Sequence, residues 1–230
     1  RLDYLIVGGG ISGCLLALKL KMAGVKVQLY SHKLVGEASS VSSGLINPVT
    51  GLRFVKSWNF ENLRLQFLKD YQFIEHRYNN SFIYQHEILV DLSNVLEENN
   101  WQIRLADPLY KEYCGPLEAY KGEAYKMKDS HSFGKIRGAI RVNIKKIIDF
   151  ISSELESDNL LSNELFDYNH IQIQNEHCHY KQWTCQGIIF CEGFYVAANP
   201  FFSWLPIVKL KGERLLLQKE FQEEDIYHST

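Results

Sequence analysis

A chain of 230 residues, 46% apolar and 23% charged, has the make-up of an ordinary globular protein, with material for one large core or two lobes. Its formal net charge of −2 leaves no electrostatic footprint for nucleic acid or an anionic membrane, and no apolar run approaches the length of a membrane span. The five cysteines are odd in number and scattered, which points to free thiols in a reducing cytoplasm and away from a disulfide framework.

Tyr4 to Val7 is an apolar run of strand length. Gly8, Gly9 and Gly10 follow, then Gly13, and the chain continues as a helix on which Ile11, Leu15, Leu18 and Met22 recur at a 3.6-residue period. Gly24 closes that helix, and Val25, Val27 and Leu29 alternate with their neighbours as a second strand. Strand, glycines, helix and strand form the setting a dinucleotide-binding unit requires. Gly8 permits the sharp turn, Gly10 lets a pyrophosphate approach the backbone, and Gly13 lets the helix lie close on the strand. The free N–H groups of the helix start, at Ile11 and Ser12, then face the phosphates. Such sites normally carry Asp or Glu at the end of the second strand for the ribose hydroxyls; here Ser31 holds that place, followed by His32 and Lys33. A serine can bond one hydroxyl, whereas His32 and Lys33 could face a 2′-phosphate, which keeps NADPH open as a rival cofactor.

Ser31 to Trp58 is rich in serine and glycine, and small residues at Ala38, Ser39, Ser40, Ser42, Ser43 and Gly44 would let backbone run close to a ligand. The opening unit followed by GEASSVSSGLINP resembles the D-amino-acid oxidase-like family of flavoproteins, which includes glycine oxidase, sarcosine oxidase and the flavin domain of a tRNA-modifying methylaminomethyl-uridine enzyme. The resemblance implies FAD as the cofactor. It places Gly8, Gly10, Ile11, Ser12 and Gly13 at the pyrophosphate, and Tyr30, Ser31, His32 and Lys33 at the end of the second strand. It runs Ala38-Ser39 and the triplet Ser43-Gly44-Leu45 beside the flavin.

Further on, Phe60, Leu63, Phe67, Tyr71, Ile74 and Tyr78 step by three or four as a helix with a broad apolar stripe. Phe82 to Leu92 reads as a strand, Ser93 as the cap of a short helix through Trp101, and Lys135 to Val142 as another strand. Asn143 is a helix N-cap, with Ile144, Ile147, Ile148, Ile151 and Leu155 as the helix face. Strand-like runs follow at Ile171 to Gln174, His177 to Gln186 and Gly187 to Phe190. The family resemblance resumes over roughly Lys135 to Leu217. It implies cofactor contacts from Leu165 and from the turn Cys191-Glu192-Gly193, and a re-entry into the substrate domain from Leu205-Pro206-Ile207 through Lys211-Gly212-Glu213 to Leu217.

The fold class expected is α/β, a Rossmann-like FAD-binding lobe built from residues 1–79 and 135–203. A mainly antiparallel β substrate lobe would comprise residues 80–134 and 204–230. The resemblance implies an FAD-dependent oxidoreductase that removes a hydride from a C–N bond of an amine or amino acid. An NAD(P)-dependent reductase and a non-catalytic nucleotide-binding module are the alternatives. Arg53 and Lys56, with Trp58, follow the loop expected to pass the flavin, where a cation could stabilise reduced flavin or hold a substrate carboxylate. A solvated turn after Asn47-Pro48-Val49-Thr50-Gly51 explains the same residues without function. Arg137 and Arg141 read as strand-edge cations. His177, Cys178, His179 and Cys185 fit no metal-ligand spacing, because alternation sends Cys178 to the face opposite the two histidines. Family members run to roughly half as long again, so these residues are expected to be a fragment of a longer protein, incomplete at the C-terminus.

Overall fold

The computed structural model describes residues 1–32, 37–117, 132–174, 177–210 and 212, with the backbone of 226–228. Two compact units divide the chain, residues 1–42 with 143–215 and residues 43–142 with 216–230. The first unit takes in residues 1–42, where the sequence reading grouped residues 1–79 in one lobe. Leu45 and Ile46 pair with Arg141 and Ile140 within the second unit, a contact that composition does not reveal.

The first unit opens with β1 (Tyr4–Val7), α1 (Ile11–Met22) and β2 (Val27–Tyr30), then one short helical turn, α2 (Ala38–Val41). Every residue of β2 is buried, Gln28 included. The alternation seen at Val25, Val27 and Leu29 thus belongs to a strand covered on both faces, as central strands of parallel sheets are. The face of α1 also differs from the apolar spacing. Gly13, Cys14, Ala17 and Leu18 are buried, while Met22 is 48% exposed. Leu18, of the expected apolar face, is buried with the small residues Gly13, Cys14 and Ala17, which let the helix lie close to the sheet. Gly24, at φ 76°, takes the left-handed conformation that ends the helix.

The second unit begins with three short strands, β3 (Leu45–Ile46), β4 (Val49–Thr50) and β5 (Val55–Lys56), and the 19-residue helix α3 (Phe60–Tyr78). It continues with β6 (Ile83–Leu92), α4 (Val95–Ala106) and β7 (Ser132–Val142). β6 and β7 form a long antiparallel pair with an irregularity between His86 and Ile88, and β3 joins β7 antiparallel. Of the apolar stripe on α3, only Phe60 and Ile74 are buried, and Leu63 is exposed. The cap of α4 is Asn94, whose side chain accepts from Glu97 N, while Ser93 donates to the Glu97 carboxylate. Trp101, fully buried, donates its indole N–H to the Gly115 carbonyl at the centre of this core.

Back in the first unit, α5 (Ile144–Ser157) is capped by Asn143, which accepts from Lys146 N. Its Ile147, Ile151 and Leu155 are completely buried, each worth about 1.5–3 kcal/mol of transfer free energy. Lys21 on α1 pairs with Glu154 and Asp158 at the end of α5, fastening the two helices together. Then come β8 (Leu161–Ser162), β9 (Ile171–Gln174), β10 (His177–Tyr180), β11 (Trp183–Cys185) and β12 (Gly187–Phe190). The run His177 to Gln186 is a tight hairpin, not one strand; Lys181 at φ 48° turns it. A last strand, β13 (Ile226–His228), runs parallel to β6 in the second unit. Most of the expected re-entry from Lys211 to Leu217 lies outside the described residues.

The sheet that positions the site has the order β12-β1-β2-β8, with every pair parallel. Its register aligns Val7 with both Tyr30 and Phe190. The carboxyl ends of three strands are therefore level, the edge at which open α/β sheets bind ligands.

Candidate functional site: a cavity over the glycine turn

The turn after β1 is held from several sides. Gly8 has φ 107°, and its N–H donates to the Tyr30 carbonyl at 2.9 Å. A Cβ there would stand 2.3 Å from the Cys191 carbonyl oxygen, and one at Gly13 would stand 1.9 Å from the Gly8 oxygen. Neither neighbour is a side chain that could swing away, so both positions require glycine. Cys14 donates its thiol to the Gly9 carbonyl at 3.2 Å from inside the helix. Burial pushes that thiol up to about 11, so it remains a neutral donor.

A cavity of about 880 Å³ opens above this turn, lined by residues of the first unit. Gly8, Gly10, Ile11 and Ser12 line it, as do Tyr30, His32, Ala38 and Ser39. Leu165, Cys191, Glu192 and Gly193 line it as well. Two residues singled out with them stand back from it. Gly13 packs beneath the turn, and Ser31 turns its hydroxyl onto Gly9, 1.9 Å from where a Cβ on that glycine would sit. Lys33 lies outside the described residues. Ser43, Gly44 and Leu45 belong to the second unit.

Tertiary structure adds what the sequence did not mark. Phe166 and Tyr168, from the loop after β8, line the cavity with Phe194, Tyr195 and Val196 from the 3-10 turn after β12. Phe166 stacks on Tyr180 at 4.1 Å and meets Tyr30 edge-on at 5.6 Å, which fixes an aromatic wall at the end of β2. The dense aromatics of residues 166–168 were a signal, but nothing local ties them to a strand more than 130 residues earlier. Tyr168 donates its hydroxyl to Glu192, and burial beside that carboxylate raises the phenol above its ordinary range. Asn199, completely buried, donates to the other Glu192 oxygen at 2.7 Å.

Charge in the cavity is one-sided. Glu37, Glu164, Asp167 and Glu192 line it, and His32 is the only basic side chain among its lining residues. The positive pole is the start of α1, where N–H groups point outward along the helix axis. Among the described residues, that turn is the end of the cavity that favours an anionic group.

Arg53 and Lys56 lie in the second unit, Arg53 exposed and Lys56 held in an ion pair. The Arg53 carbonyl accepts from Arg104 Nε and Nη2 at 3.1 and 3.0 Å. Lys56 pairs with Glu61 and sits 5.6 Å over the Tyr113 ring. Tyr113 donates to the same carboxylate at 3.0 Å, and burial with that partner pushes its hydroxyl up to about 12. The charge of Lys56 is thus already matched within the fold. Among the described residues, no group of three His, Cys, Asp or Glu side chains could hold a metal ion, and no helix is long and apolar enough to cross a membrane.

The family model described as FAD dependent oxidoreductase matches residues 3–148, more than half of the chain. The chain belongs to that family. FAD is the family's cofactor, and the NADPH alternative raised by His32 and Lys33 falls away. Solved structures agree on the fold. Glycine oxidase from Geobacillus kaustophilus superposes with a TM-score of 0.67 at 18% identity, over 88% of this chain and 58% of that one. Iminodiacetate oxidase from Chelativorans sp. BNC1 gives 0.63 at 16% identity, over 85% and 56%. The dithionite-reduced, FAD-bound L-alpha-glycerophosphate oxidase from Mycoplasma pneumoniae gives 0.52 at 18% identity, over 87% and 56%. This member of the FAD dependent oxidoreductase family therefore spans a little over half the length of the structures it matches.

Proposed function

We propose that this protein is an FAD-dependent oxidoreductase that takes a hydride from a C–N bond of an amine or amino acid. The observation that carries the reading is the cavity at the carboxyl ends of β1, β2 and β12, built on a glycine turn in a chain of this family. Glycine oxidase and iminodiacetate oxidase share its fold, which supports an amine or amino acid as the substrate class.

The residues present fit the cofactor. A Cβ at Gly10 would point toward the Ser39 hydroxyl at 3.0 Å, and with hydrogen there the backbone remains open to a phosphate. The N–H groups at the start of α1, apart from that of Ile11, which donates to Ser39 Oγ at 3.1 Å, would hold the pyrophosphate, with Ser12 and Ser39 as hydroxyl groups at its edge. Tyr30 and the Phe166 wall, with Leu165 and His32, form the nucleoside side. Cys191, Glu192 and Gly193 close over the turn from β12. Ser43, Gly44 and Leu45 are assigned to the flavin by family resemblance. When bound, the flavin ring supplies the hydride acceptor, and the chain supplies position, exclusion of water and electrostatics.

Reconstitution with FAD tests the cofactor through its visible absorption. Anaerobic mixing with a panel of amines, amino acids and 2-hydroxy acids tests the substrate class. Bleaching of the oxidised spectrum by at least one amine or amino acid is expected. Bleaching by 2-hydroxy acids alone would overturn the C–N assignment, and flavin binding without bleaching by any compound would favour a non-catalytic nucleotide-binding module.

A further inference from the structure

We propose that Glu192 is the carboxylate that accepts a sugar hydroxyl of the bound nucleotide, the task usually given to an acid at the end of the second strand. The inference rests on the FAD reading above and deepens it. The end of β2 offers no such acceptor: residue 31 is serine, its hydroxyl lies against Gly9, and it does not line the cavity. Of the other cavity carboxylates, Glu37 stands at the start of α2 and already has an interaction within the fold, and Glu164 is paired with Lys181 at 2.7 Å and largely exposed. Asp167 caps the turn at Asn169, accepting from both its N–H and its side-chain amide at 3.0 Å.

Glu192 is differently placed. It follows β12, the strand beside β1, and lines the cavity next to the glycine turn. Tyr168 donates to its Oε1, and Asn199 Nδ2 to its Oε2 at 2.7 Å. Asn199 is itself fixed, fully buried and accepting from Phe201 N at 2.9 Å. A carboxylate has about four acceptor positions, so one on each oxygen remains after these two bonds. Both donors are neutral, and between them they set the orientation of the carboxylate. Such a group repels phosphate and favours O–H donors, whose bonds to an ionised acceptor are the stronger kind. The nucleotide offers two sources of that chemistry, the ribose diol of its adenosine half and the ribityl chain of its flavin half.

The test is a fluorescence titration of FAD into wild type, Glu192→Gln and Tyr168→Phe, with ADP as competitor, below the melting temperature of every variant. Losing a charge-assisted bond of about 1.5–3 kcal/mol weakens FAD binding about tenfold or more in Glu192→Gln. Tyr168→Phe, which keeps the carboxylate and frees its orientation, weakens it by a smaller factor. If ADP competition weakens in parallel, the hydroxyl is on the ribose; if it is unchanged while FAD binding falls, the hydroxyl is on the ribityl chain. Wild-type FAD affinity in Glu192→Gln overturns the proposal. Should that variant not fold, wild-type affinity in Tyr168→Phe overturns it instead. Failure of the wild type to bind FAD at all would overturn the cofactor reading itself, a separate outcome.

Discussion

The Ser39 hydroxyl accepts a hydrogen bond from the backbone N–H of Ile11 at 3.1 Å, across 28 residues of sequence. Gly10, the N-cap of α1, has no side chain to do this, so the helix borrows its cap from α2. Loss of an N-cap hydroxyl costs about 0.5–2 kcal/mol. We expect Ser39→Ala to lower the stability of the FAD-free protein by that amount, measured by urea denaturation. No change would show that Ile11 N–H is satisfied without Ser39.

Two glycines in the turn should behave differently when replaced. At Gly10 a Cβ meets a side chain, that of Ser39, 3.0 Å from its hydroxyl, whereas at Gly13 it meets the Gly8 carbonyl of the backbone itself. Gly10→Leu is expected to fold and lose FAD, its side chain standing where phosphate would lie. Gly13→Ala is expected to damage the fold with or without cofactor. Circular dichroism and flavin titration of the two variants separate these outcomes, and full flavin retention by Gly10→Leu would refute the placement of the pyrophosphate.

The contact between α5 and the parallel sheet gives a stability expectation. Leu155 is completely buried near the end of that helix. Truncation of such a residue removes transfer free energy and leaves a cavity, together about 2–5 kcal/mol. Leu155→Ala should therefore shift the denaturation midpoint strongly, while Leu96→Ala on the exposed side of α4, where the residue is 69% exposed, should shift it little. Equal effects would mean that α5 is not docked as described.

Alkaline pH should weaken the fold through its buried thiols. Burial pushes Cys14 and Cys114 each up to about 11 from an ordinary value of 9.0. Between those values the unfolded chain releases the proton and the folded chain keeps it, so stability is fully present below pH 9 and declines as pH rises toward 11. Denaturation at pH 8 and pH 10 should show this loss, and Cys14→Ala with Cys114→Ala should flatten it. A double variant with the same pH slope as wild type would assign the loss to other groups.

Local chemistry alone determined the strand, the glycine turn and the helix at the start of the chain, and the Asn143 cap of α5, because turns and caps are settled by residues a few positions apart. The family resemblance rests on that opening unit followed by GEASSVSSGLINP, and resumes over roughly Lys135 to Leu217 with the Cys191-Glu192-Gly193 turn. Other features were decided only by tertiary contact. The buried side of α1 carries Cys14 and Ala17, which let the helix lie close to the sheet, where apolar spacing had favoured Ile11 and Met22. The grouping of Leu45 with the second unit goes with its pairing to Arg141. The hydrogen bonds among Tyr168, Glu192 and Asn199 exist because β12 lies beside β1, about 180 residues apart in the chain, with the loop after β8 folded over both. No local spacing encodes that neighbourhood; it arises when a parallel sheet is assembled from strands whose connections include an entire second unit.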